Sequence, residues 1–370
     1  MKQNIFSKSA SKGIFRDEKV LYPEFVPERL PFRDHQIDSL VHAIKPSSEG
    51  RKPLNVFVTG LPGTGKTVTV KFVLNELESF TDRVKAVYLN CWQYTSRNAI
   101  LAELNNFLGE VIPRRGIATD EMYNRFVQAM RKSHFTPLLV LDEFDQLMKT
   151  DDGSKVLYDL LRVSELQKNF LGLVLISNDE SIIARLDARV RSSLASEQIH
   201  FMQYDPRELK EILKLRCQYA FNADVLEPEV VNVAAAHAAK LGGDARIAIE
   251  SLLKAGRLAE KESSKKVSVK HLQEAFKIAD DAILKKGLKA LNEDEKKLLK
   301  LVAKNKQSDS GKLYREFLKL NPKSPSARSY RVFIANLQKL GLIECKALEL
   351  SQGRSRLINL KIPEAFLEEI

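Results

Sequence analysis

The most informative stretch of this chain of 370 residues is LNVFVTGLPGTGKTVTV, residues 54–70. Its apolar start predicts a buried strand over 54–59, and the apolar residues after the glycines predict a helix over 65–79. Between them, GLPGTGKT (60–67) fits the pattern G-x-x-x-x-G-K-[ST] of a phosphate-binding loop. Because the pattern lies between a strand and a helix, as the chemistry requires, it predicts a nucleotide site.

The residue types of this loop suit a phosphate for physical reasons. Glycines allow successive backbone N–H groups to turn inward, and the helix that begins near Gly65 directs the positive end of its dipole at the anion. Lys66 is expected to reach the β- and γ-phosphates, and Thr67 offers a hydroxyl to Mg²⁺. We therefore expect ATP or ADP with Mg²⁺ as cofactors. The candidate binding residues here are Gly60, Pro62, Gly63, Thr64, Gly65, Lys66, Thr67 and Val68.

Two later strands lead to the candidate catalytic residues. The predicted strand PLLVLD ends in Asp142, a magnesium ligand acting through water, and Glu143 follows, placed to orient or deprotonate the attacking water. Asp145 is interpreted as a helix cap or a supporting group. The predicted strand LGLVLIS precedes Asn178, whose amide would position the water near the γ-phosphate. A turn-forming Asn-Asp pair is the alternative interpretation of Asn178.

Strands and helices alternate through the first half of the chain. This alternation predicts a parallel sheet covered by helices on both faces, an α/β fold. After residue 205 the pattern becomes helical, with Pro206 and Pro228 suited to first-turn positions. The strands are predicted over 54–59, 84–89, 137–142, 171–177 and 198–202, and the helices over 65–79, 97–110, 120–132, 206–220, 228–240, 244–260 and 268–286.

Residues 290–370 form a further unit, separated from the helical domain near Gly287. Three helices followed by two short strands around SQGRS are typical of a winged helix-turn-helix. The helices are predicted over 292–304, 309–320 and 325–340, and the strands over 342–350 and 356–361.

The charge of the chain is concentrated at its ends. The net charge is +11, of which residues 1–20 contribute +3 and residues 281–370 contribute +8, so the rest is neutral. A basic module on a neutral body suggests a polyanion as partner, although a solvated lysine-rich surface is the alternative. No segment reaches the ~18 apolar residues of a membrane span, and the amino terminus lacks the apolar block of a secretory signal. We therefore expect a cytoplasmic protein without a membrane partner.

The third helix of the carboxy-terminal unit has two distinct faces. Ser324 suits its N-cap and Pro325 its first position. The apolar face, which would pack on the core, comprises Tyr330, Phe333, Ile334, Leu337 and Leu340. The opposite face, suited to the major groove of DNA, comprises Arg328, Arg331, Ala335 and Lys339. The turn SQGRSR would form the wing and place Arg354 and Arg356 over the DNA backbone or minor groove. An ordinary amphipathic helix with a charged exterior is the alternative.

Taken in order, five segments resemble the AAA+ ATPases, and within them the archaeal replication initiators, relatives of the eukaryotic origin recognition complex and its helicase-loading cofactor. The segments are VPERLPFRDHQIDSL (26–40), LDEFDQL (141–147), LISND (175–179), LDARVRSSL (186–194) and GGDARIAIE (242–250). The resemblance covers nearly the whole chain. It implies an AAA+ P-loop parallel sheet with a helical lid and a winged helix-turn-helix domain. The implied domains are a basic tail (1–20), the AAA+ domain (21–205), the lid (206–287) and the winged helix (288–370).

The resemblance also implies roles for single residues. Asn178 matches the sensor one position, and Arg246 matches the sensor two arginine, which reaches the nucleotide from the lid. Arg189 matches the arginine finger that would complete a neighbouring subunit's site, with Arg191 as the weaker candidate. Further nucleotide contacts are implied for Tyr204 and Arg216, and the segment around Arg29 and Arg33 would border the adenine. Surface salt bridges are the alternative for Arg189 and Arg246.

A second DNA contact is implied by the insertion that such initiators carry, here residues 95–118. Its loop contains Arg114 and Arg115, a pair suited to phosphate, with a plain surface loop as the alternative.

Together these observations predict an ATP-dependent origin-recognition protein that binds duplex origin DNA and helps to load the replicative helicase. Its magnesium-dependent ATP hydrolysis would be slow and regulatory. Other initiator paralogues are possible partners, and the expected location is the cytoplasm, in association with the nucleoid. Two alternatives stay open, a DNA-binding paralogue that regulates initiation negatively and an AAA+ DNA motor of the Holliday-junction type.

Overall fold

The computed structural model describes residues 13–112, 116–166, 170–305, 307–320, 325–349, 354–363 and 366, without the side chains of 164–166, 347–349, 354 and 355. The chain divides into two compact units, Met1–Leu272 and Gln273–Ile370. This boundary falls within a helix, Val269–Lys289, and Gly287, which was expected to separate two domains, lies inside that helix. Of the helices within the described ranges, none has the length and apolar character needed to cross a membrane.

The first unit is built on a five-stranded sheet. Its strands are β1 (Val56–Gly60), β2 (Val84–Asn90), β3 (Thr136–Asp142), β4 (Gly172–Ser177) and β5 (Glu197–Phe201). All strand pairs are parallel, in the order β2-β3-β4-β1-β5, which confirms the predicted α/β class. Because β3, β4 and β1 are neighbours, the residues that follow their carboxyl ends come together at one edge of the sheet.

Helices cover both faces of this sheet. They are α1 (Asp34–Ile44), α2 (Lys66–Phe80), α3 (Arg97–Phe107), α4 (Thr119–Lys132), α5 (Phe144–Leu147), α6 (Gly153–Leu166), α7 (Ile182–Arg185) and α8 (Ala188–Leu194). One core joins α1 and α2 to the sheet through Leu40 and Val70. The other core joins α3, α4 and α6 through Ile100, Phe126 and Leu157. Helices α1 and α6 were not predicted, although both carry apolar residues at helical spacing.

Four helices follow the sheet. They are α9 (Pro206–Ala220), α10 (Val230–Lys240), α11 (Ala245–Lys261) and α12 (Val269–Lys289). Helix α9 begins at Pro206 as predicted, and Asp205 and Glu208 form a reciprocal capping box there. The prediction for Pro228 was wrong, because this proline precedes α10 instead of occupying its first turn.

Residues 13–20 belong to the segment predicted as a basic tail, yet they pack on this helical part. Ile14 and Val20 are buried. The ring of Phe15 stacks on that of Phe221, just after α9, with the ring centroids 5.1 Å apart. The apolar side chains between the charged residues explain the difference, since their burial favours a packed segment.

The second unit has the predicted winged helix-turn-helix pattern. It contains α13 (Glu293–Asn305), β6 (Gln307–Asp309), α14 (Ser310–Leu320), α15 (Ala327–Lys339), β7 (Ile343–Glu349) and β8 (Arg354–Leu360). The strands pair antiparallel in the order β6-β8-β7. Strand β6 was not predicted, because its 3 residues are too few to show an alternating pattern.

Helix α15 begins later than predicted. Ser326 is its N-cap and accepts a hydrogen bond from the Ser329 amide at 3.1 Å, so Pro325 lies before the helix. Ser324, the predicted cap, lies outside the described residues. The predicted apolar face does pack inward, with Tyr330, Ile334 and Leu337 buried and Phe333 and Leu340 packed against the same core.

Candidate functional site

The loop between β1 and α2 has a backbone that only glycine adopts readily. The φ angles of Gly60, Gly63 and Gly65 are 146°, 75° and 90°. A Cβ on Gly60 would lie 2.4 Å from the Phe201 carbonyl oxygen, and one on Gly65 would lie 2.6 Å from the Tyr204 hydroxyl. The glycines therefore provide both the turn of the loop and its close approach to the last residue of β5 and to Tyr204 after it.

Lys66, the first residue of α2, lies beneath this loop. Its ammonium donates hydrogen bonds to the carbonyl oxygens of Gly60 at 2.8 Å and Leu61 at 2.9 Å, and to Asn178 Oδ1 at 2.9 Å. The side chain is buried, and burial lowers its pKa against the opposing effect of Glu143 and Asp142. These contacts fix the ammonium at the edge of the sheet, between the loop and the end of β4.

The carboxylate of Asp142, at the end of β3, accepts hydrogen bonds from three described residues. Its Oδ2 accepts from the Thr67 hydroxyl at 2.8 Å and from the Tyr88 hydroxyl, and its Oδ1 accepts from the Glu143 amide at 2.8 Å. The two residues predicted as magnesium ligands, Thr67 and Asp142, are thus brought into contact. Tyr88 on β2 was missed, because an aromatic residue in a strand normally indicates packing and not a polar contact.

Glu143 is connected to the same network through Asn178. The Asn178 amide nitrogen donates to Glu143 Oε2 at 2.6 Å. The Glu143 backbone is left-handed, with φ 54°, an unusual conformation for this residue type. Burial raises the pKa of the Glu143 carboxyl, and the nearby Asp142 and Asp145 raise it further. A raised pKa makes this carboxylate a better proton acceptor.

Asp145 lies behind Asn178. Its Oδ1 accepts from the Ser177 hydroxyl at 3.4 Å and from the backbone N–H of Asn178 at 3.3 Å. Of the two interpretations of Asp145, a helix cap or a supporting group, the supporting group agrees with these contacts. The carboxylate fixes the end of β4, from which the Asn178 side chain extends to both Lys66 and Glu143.

Arg246 reaches this region from α11. Its guanidinium donates to Asp244 through Nε at 3.2 Å and through an η-nitrogen at 2.9 Å, and the Asp244 hydrogen bond raises the pKa of Arg246. Asp244 itself packs against the phosphate loop, since a Cβ on Gly63 would lie 1.8 Å from its Oδ1. The Ala245 amide also donates to the Gly63 carbonyl oxygen at 3.3 Å. The amino end of α11 is therefore in direct contact with the loop.

Arg33 is buried and holds the other side of the loop. Its guanidinium donates to the Thr64 carbonyl oxygen at 3.1 and 2.9 Å and to that of Met202 at 3.0 Å. It lies 3.8 Å from the ring centroid of Tyr204. Burial lowers the pKa of Arg33. The sequence analysis did not predict this contact with the loop, because the family resemblance implied that Arg33 borders the adenine. Arg29, the other residue of that prediction, is exposed.

Three further arginines of the sequence analysis lie away from this network. Arg216 donates to the carbonyl oxygens of Val20 at 2.8 Å and Phe25 at 3.4 Å, and burial lowers its pKa to about 10. Arg189 is exposed on α8, and its guanidinium makes no hydrogen bond or ion pair with any residue that the structure describes. Arg191 is exposed as well and reaches the Ala184 carbonyl oxygen at 3.5 Å. The roles of Arg189 and Arg216 toward a nucleotide stay predictions.

The donor set at the edge of the sheet fits a nucleoside triphosphate with Mg²⁺. Pro62 is exposed in the loop and Val68 is half-buried in the first turn of α2. The loop offers backbone amides at a helix start, and Lys66 supplies a fixed positive charge. Thr67 and Asp142 offer one hydroxyl and one carboxylate. Proteins typically supply only one or two ligands to Mg²⁺, and waters and phosphate oxygens supply the others. The same residues suit phosphoryl transfer to water.

A separate cationic surface lies on α15 of the second unit. Arg328, Arg331 and Lys339 are exposed and make no ion pair with any of the described residues, and α15 contains no carboxylate. Arg356 on β8 is also exposed. Arg354 begins β8, but its side chain is not described. Arg114 and Arg115 lie outside the described residues, while α3 of the same insertion packs against α4.

Comparison with protein families assigns two parts of the first unit. Residues 50–182 match the AAA domain family. Residues 210–277 match the Cdc6 AAA+ ATPase-type lid domain. The first match contains the phosphate loop together with Asp142, Glu143 and Asn178, and the second contains Arg246.

Known proteins are similar over nearly the whole chain. ORC1-type DNA replication protein 1 of Sulfurisphaera tokodaii is 35% identical over 372 residues, which cover 97% of this chain and 93% of the relative. The ORC1-type DNA replication protein of Thermococcus kodakarensis is 34% identical over 387 residues, covering 99% and 93%. Among solved structures, the Aeropyrum pernix ORC1 protein in complex with DNA matches with a TM-score of 0.78 and 29% identity, covering 96% of each chain.

Proposed function

Because this chain belongs to the family of ORC1-type DNA replication proteins, we propose that it is an ATP-regulated initiator that binds duplex DNA at replication origins and helps to load the replicative helicase. A role in the initiation of replication follows from the family. Origin binding, helicase loading and slow, magnesium-dependent ATP hydrolysis are the finer parts of the proposal. Other initiator paralogues are proposed partners, and the proposed location is the cytoplasm in association with the nucleoid.

One observation carries the regulatory part, the contact between the phosphate loop and the lid helix α11. The Ala245 amide donates to the Gly63 carbonyl oxygen at 3.3 Å, and Asp244 fills the space beside Gly63. A ligand shifts a conformational equilibrium only through contacts that differ between the two states. Because the loop expected to hold the phosphates touches the helix that carries Arg246, nucleotide binding and hydrolysis would be coupled to the position of the lid.

The proposed hydrolysis uses the network around Asn178. A bound Mg²⁺ would supply neutralisation of charge at the phosphates. Thr67 and Asp142 would hold it, and Lys66 would compensate charge on the β- and γ-phosphates. Glu143 would accept a proton from the attacking water, which Asn178 helps to position. The contacts of Asn178 with both Lys66 and Glu143 support this division of roles.

Arg189 is proposed to act on a neighbouring copy of the protein. An arginine supplied from outside the site stabilises charge in the transition state of phosphoryl transfer. The exposed guanidinium, without a partner among the described residues, is available for such a contact. Hydrolysis would then depend on assembly.

The proposed DNA contact is the cationic face of α15. Its three cations have no neighbouring carboxylate on the helix, so their charge is not compensated within α15. An α-helix fits the major groove, and arginine binds guanine edges or phosphate with a planar fork. Arg354 and Arg356 would contact backbone or minor groove from the wing, and the loop with Arg114 and Arg115 would add a second contact. Duplex DNA as the partner is further supported by the relative that is solved with DNA.

A footprint tests the proposal directly. A chromosome-wide map of binding first identifies the origin fragment, and protection is then compared with a random fragment of equal length, with ATP and with ADP. We expect protection confined to the origin fragment and altered by the nucleotide. Equal protection of both fragments together with rapid DNA-stimulated ATP turnover would contradict an initiator and favour a motor. Helicase recruitment to origin DNA that proceeds equally without this protein would contradict the loading role.

A further inference from the structure

Tyr88 contacts the carboxylate expected to serve the magnesium ion, although no part of the phosphate-loop pattern requires a tyrosine there. We infer that Tyr88 is a positioning residue, which orients the Asp142 carboxylate so that its remaining acceptor site faces the metal. The inference rests on the proposed nucleotide and magnesium site and extends it by one residue outside the motif.

The register of the sheet places the tyrosine beside the carboxylate. On the neighbouring strands β2 and β3, Tyr88 pairs with Val140 and Asn90 pairs with Asp142. The Tyr88 ring therefore lies two residues before the end of β2, and its hydroxyl reaches the Asp142 side chain at the end of β3. The long side chain of tyrosine reaches from the backbone of β2 to the Asp142 carboxylate, whereas a serine or threonine at the same position would be too short.

Three donors fix the orientation of the carboxylate. Tyr88 and Thr67 both donate to Oδ2 of Asp142, and the Glu143 amide donates to Oδ1 at 2.8 Å. A carboxylate offers about four acceptor sites, so one site on Oδ1 stays available for a water bound to the metal.

The tyrosine itself is held in place. The Lys71 ammonium lies 4.4 Å from the Tyr88 ring centroid, and the ring packs against the core between the sheet and α2. A phenylalanine would keep the packing and lose only the hydrogen bond.

Calorimetric titration of the full chain with ADP, once with Mg²⁺ and once with EDTA, tests the inference without relying on turnover. The variant is Tyr88→Phe. The matched control is Tyr330→Phe, which removes a hydroxyl that is also hydrogen-bonded, to the Ser310 carbonyl oxygen at 3.1 Å, but in the second unit. The measured quantity is the ratio of the ADP dissociation constants in EDTA and in Mg²⁺, which reports the contribution of the metal.

We expect Tyr88→Phe to reduce this ratio by about tenfold, the usual effect of removing a group that orients a metal ligand. Its ADP affinity in EDTA should stay within about twofold of the wild type, and Tyr330→Phe should retain the wild-type ratio. An unchanged ratio in Tyr88→Phe would overturn the inference, as would an equal loss of affinity with and without the metal. A wild-type protein that binds ADP equally in Mg²⁺ and EDTA would instead overturn the proposed metal site, and the inference with it.

Discussion

Asn178 accepts a hydrogen bond from Lys66, with 2.9 Å between Oδ1 and the ammonium nitrogen. The amide nitrogen of the same side chain donates to Glu143 at 2.6 Å. One neutral side chain therefore links the cation expected at the phosphates to the carboxylate expected at the water. The Asn178 amide does not titrate, whereas the two groups that it joins do, and each of these two groups can be tested separately.

Removing the ammonium should weaken nucleotide binding. In Lys66→Ala the loop loses a buried charge that is fixed by three hydrogen bonds. We expect ATP affinity to fall by about 10- to 150-fold, the range for losing a hydrogen bond to a charged group. Calorimetry measures it, with the exposed Lys52→Ala as control for loss of a positive charge. Unchanged affinity in Lys66→Ala would contradict the assignment of the loop.

Neutralising the carboxylate should separate binding from turnover. Glu143→Gln keeps the size of the side chain and removes the proton acceptor, so ATP should bind as before while hydrolysis falls by about 100- to 10,000-fold. Phosphate release in single-turnover conditions reports the rate. The control Glu180→Gln removes an exposed carboxylate beside His200 on the same unit. Wild-type hydrolysis by Glu143→Gln would remove this residue from the proposed role.

The stability of the first unit should also depend on the ionisation of Glu143. Its pKa in the folded chain is raised above the ordinary 4.5, by burial first and then by Asp142 and Asp145. Stability from the neutral acid is present below pH 4.5 and is lost as the pH rises through the folded pKa. Glu143→Gln should therefore melt at a higher temperature than the wild type at neutral pH, with a difference that shrinks toward pH 4. A difference that is constant across this range would contradict the shift.

The contact between Gly63 and Asp244 can be tested with two glycines of nearly equal backbone angle. Gly63 and Gly50 have φ angles of 75° and 73°, but a Cβ on Gly50 meets nothing within 4 Å. Gly50→Ala should cost about 1–2 kcal/mol in the free energy of unfolding for the left-handed backbone alone. Gly63→Ala should cost about 1–3 kcal/mol more for the overlap with Asp244, and weaken ATP binding in addition. Equal behaviour of the two variants in denaturant titration would disprove a packed contact.

Loss of the cations on α15 should weaken DNA binding and flatten its salt dependence. Arg328→Ala combined with Arg331→Ala should reduce the slope of log affinity against log salt by about two, if both arginines contact phosphates. Lys297→Ala combined with Lys300→Ala removes the same charge at the same spacing from the exposed face of α13. Fluorescence anisotropy on origin duplexes compares them. Equal losses in both pairs would indicate a general charge effect and no specific role of α15.

The sequence predicted the elements that depend on local pattern. Strand β3 was expected over 137–142 and spans Thr136–Asp142, and helix α9 was expected over 206–220 and spans Pro206–Ala220. Both are bounded by strong local signals, the apolar run of one and the capping box of the other. Signals were weaker where helices end in polar residues, as at α12, which continues past Gly287 to Lys289. The predicted helix over 268–286 is therefore three residues longer at its carboxyl end in the structure.

Contacts between segments that are distant in the chain could not be predicted from the sequence. Arg33 donates to the Thr64 carbonyl oxygen, 31 positions away, and Arg216 donates to the Val20 carbonyl oxygen, 196 positions away. The residues next to each arginine in the sequence form no pattern that predicts a backbone carbonyl as its partner. Family resemblance placed both beside a nucleotide, whereas their hydrogen bonds join the segment before α1 to the loop and to α9.

The phosphate loop, the acidic pair at 142–143 and the two faces of α15 could be predicted from the amino-acid sequence, because glycine spacing, strand ends and helical periodicity are properties of consecutive residues. The sheet order β2-β3-β4-β1-β5 became known only from the folded chain, and this order brings Lys66, Asn178 and Glu143 together at one edge. The contact of Tyr88 with Asp142 also became known only from the folded chain, since hydrogen bonding between strands fixes which side chains are neighbours only once the register is set.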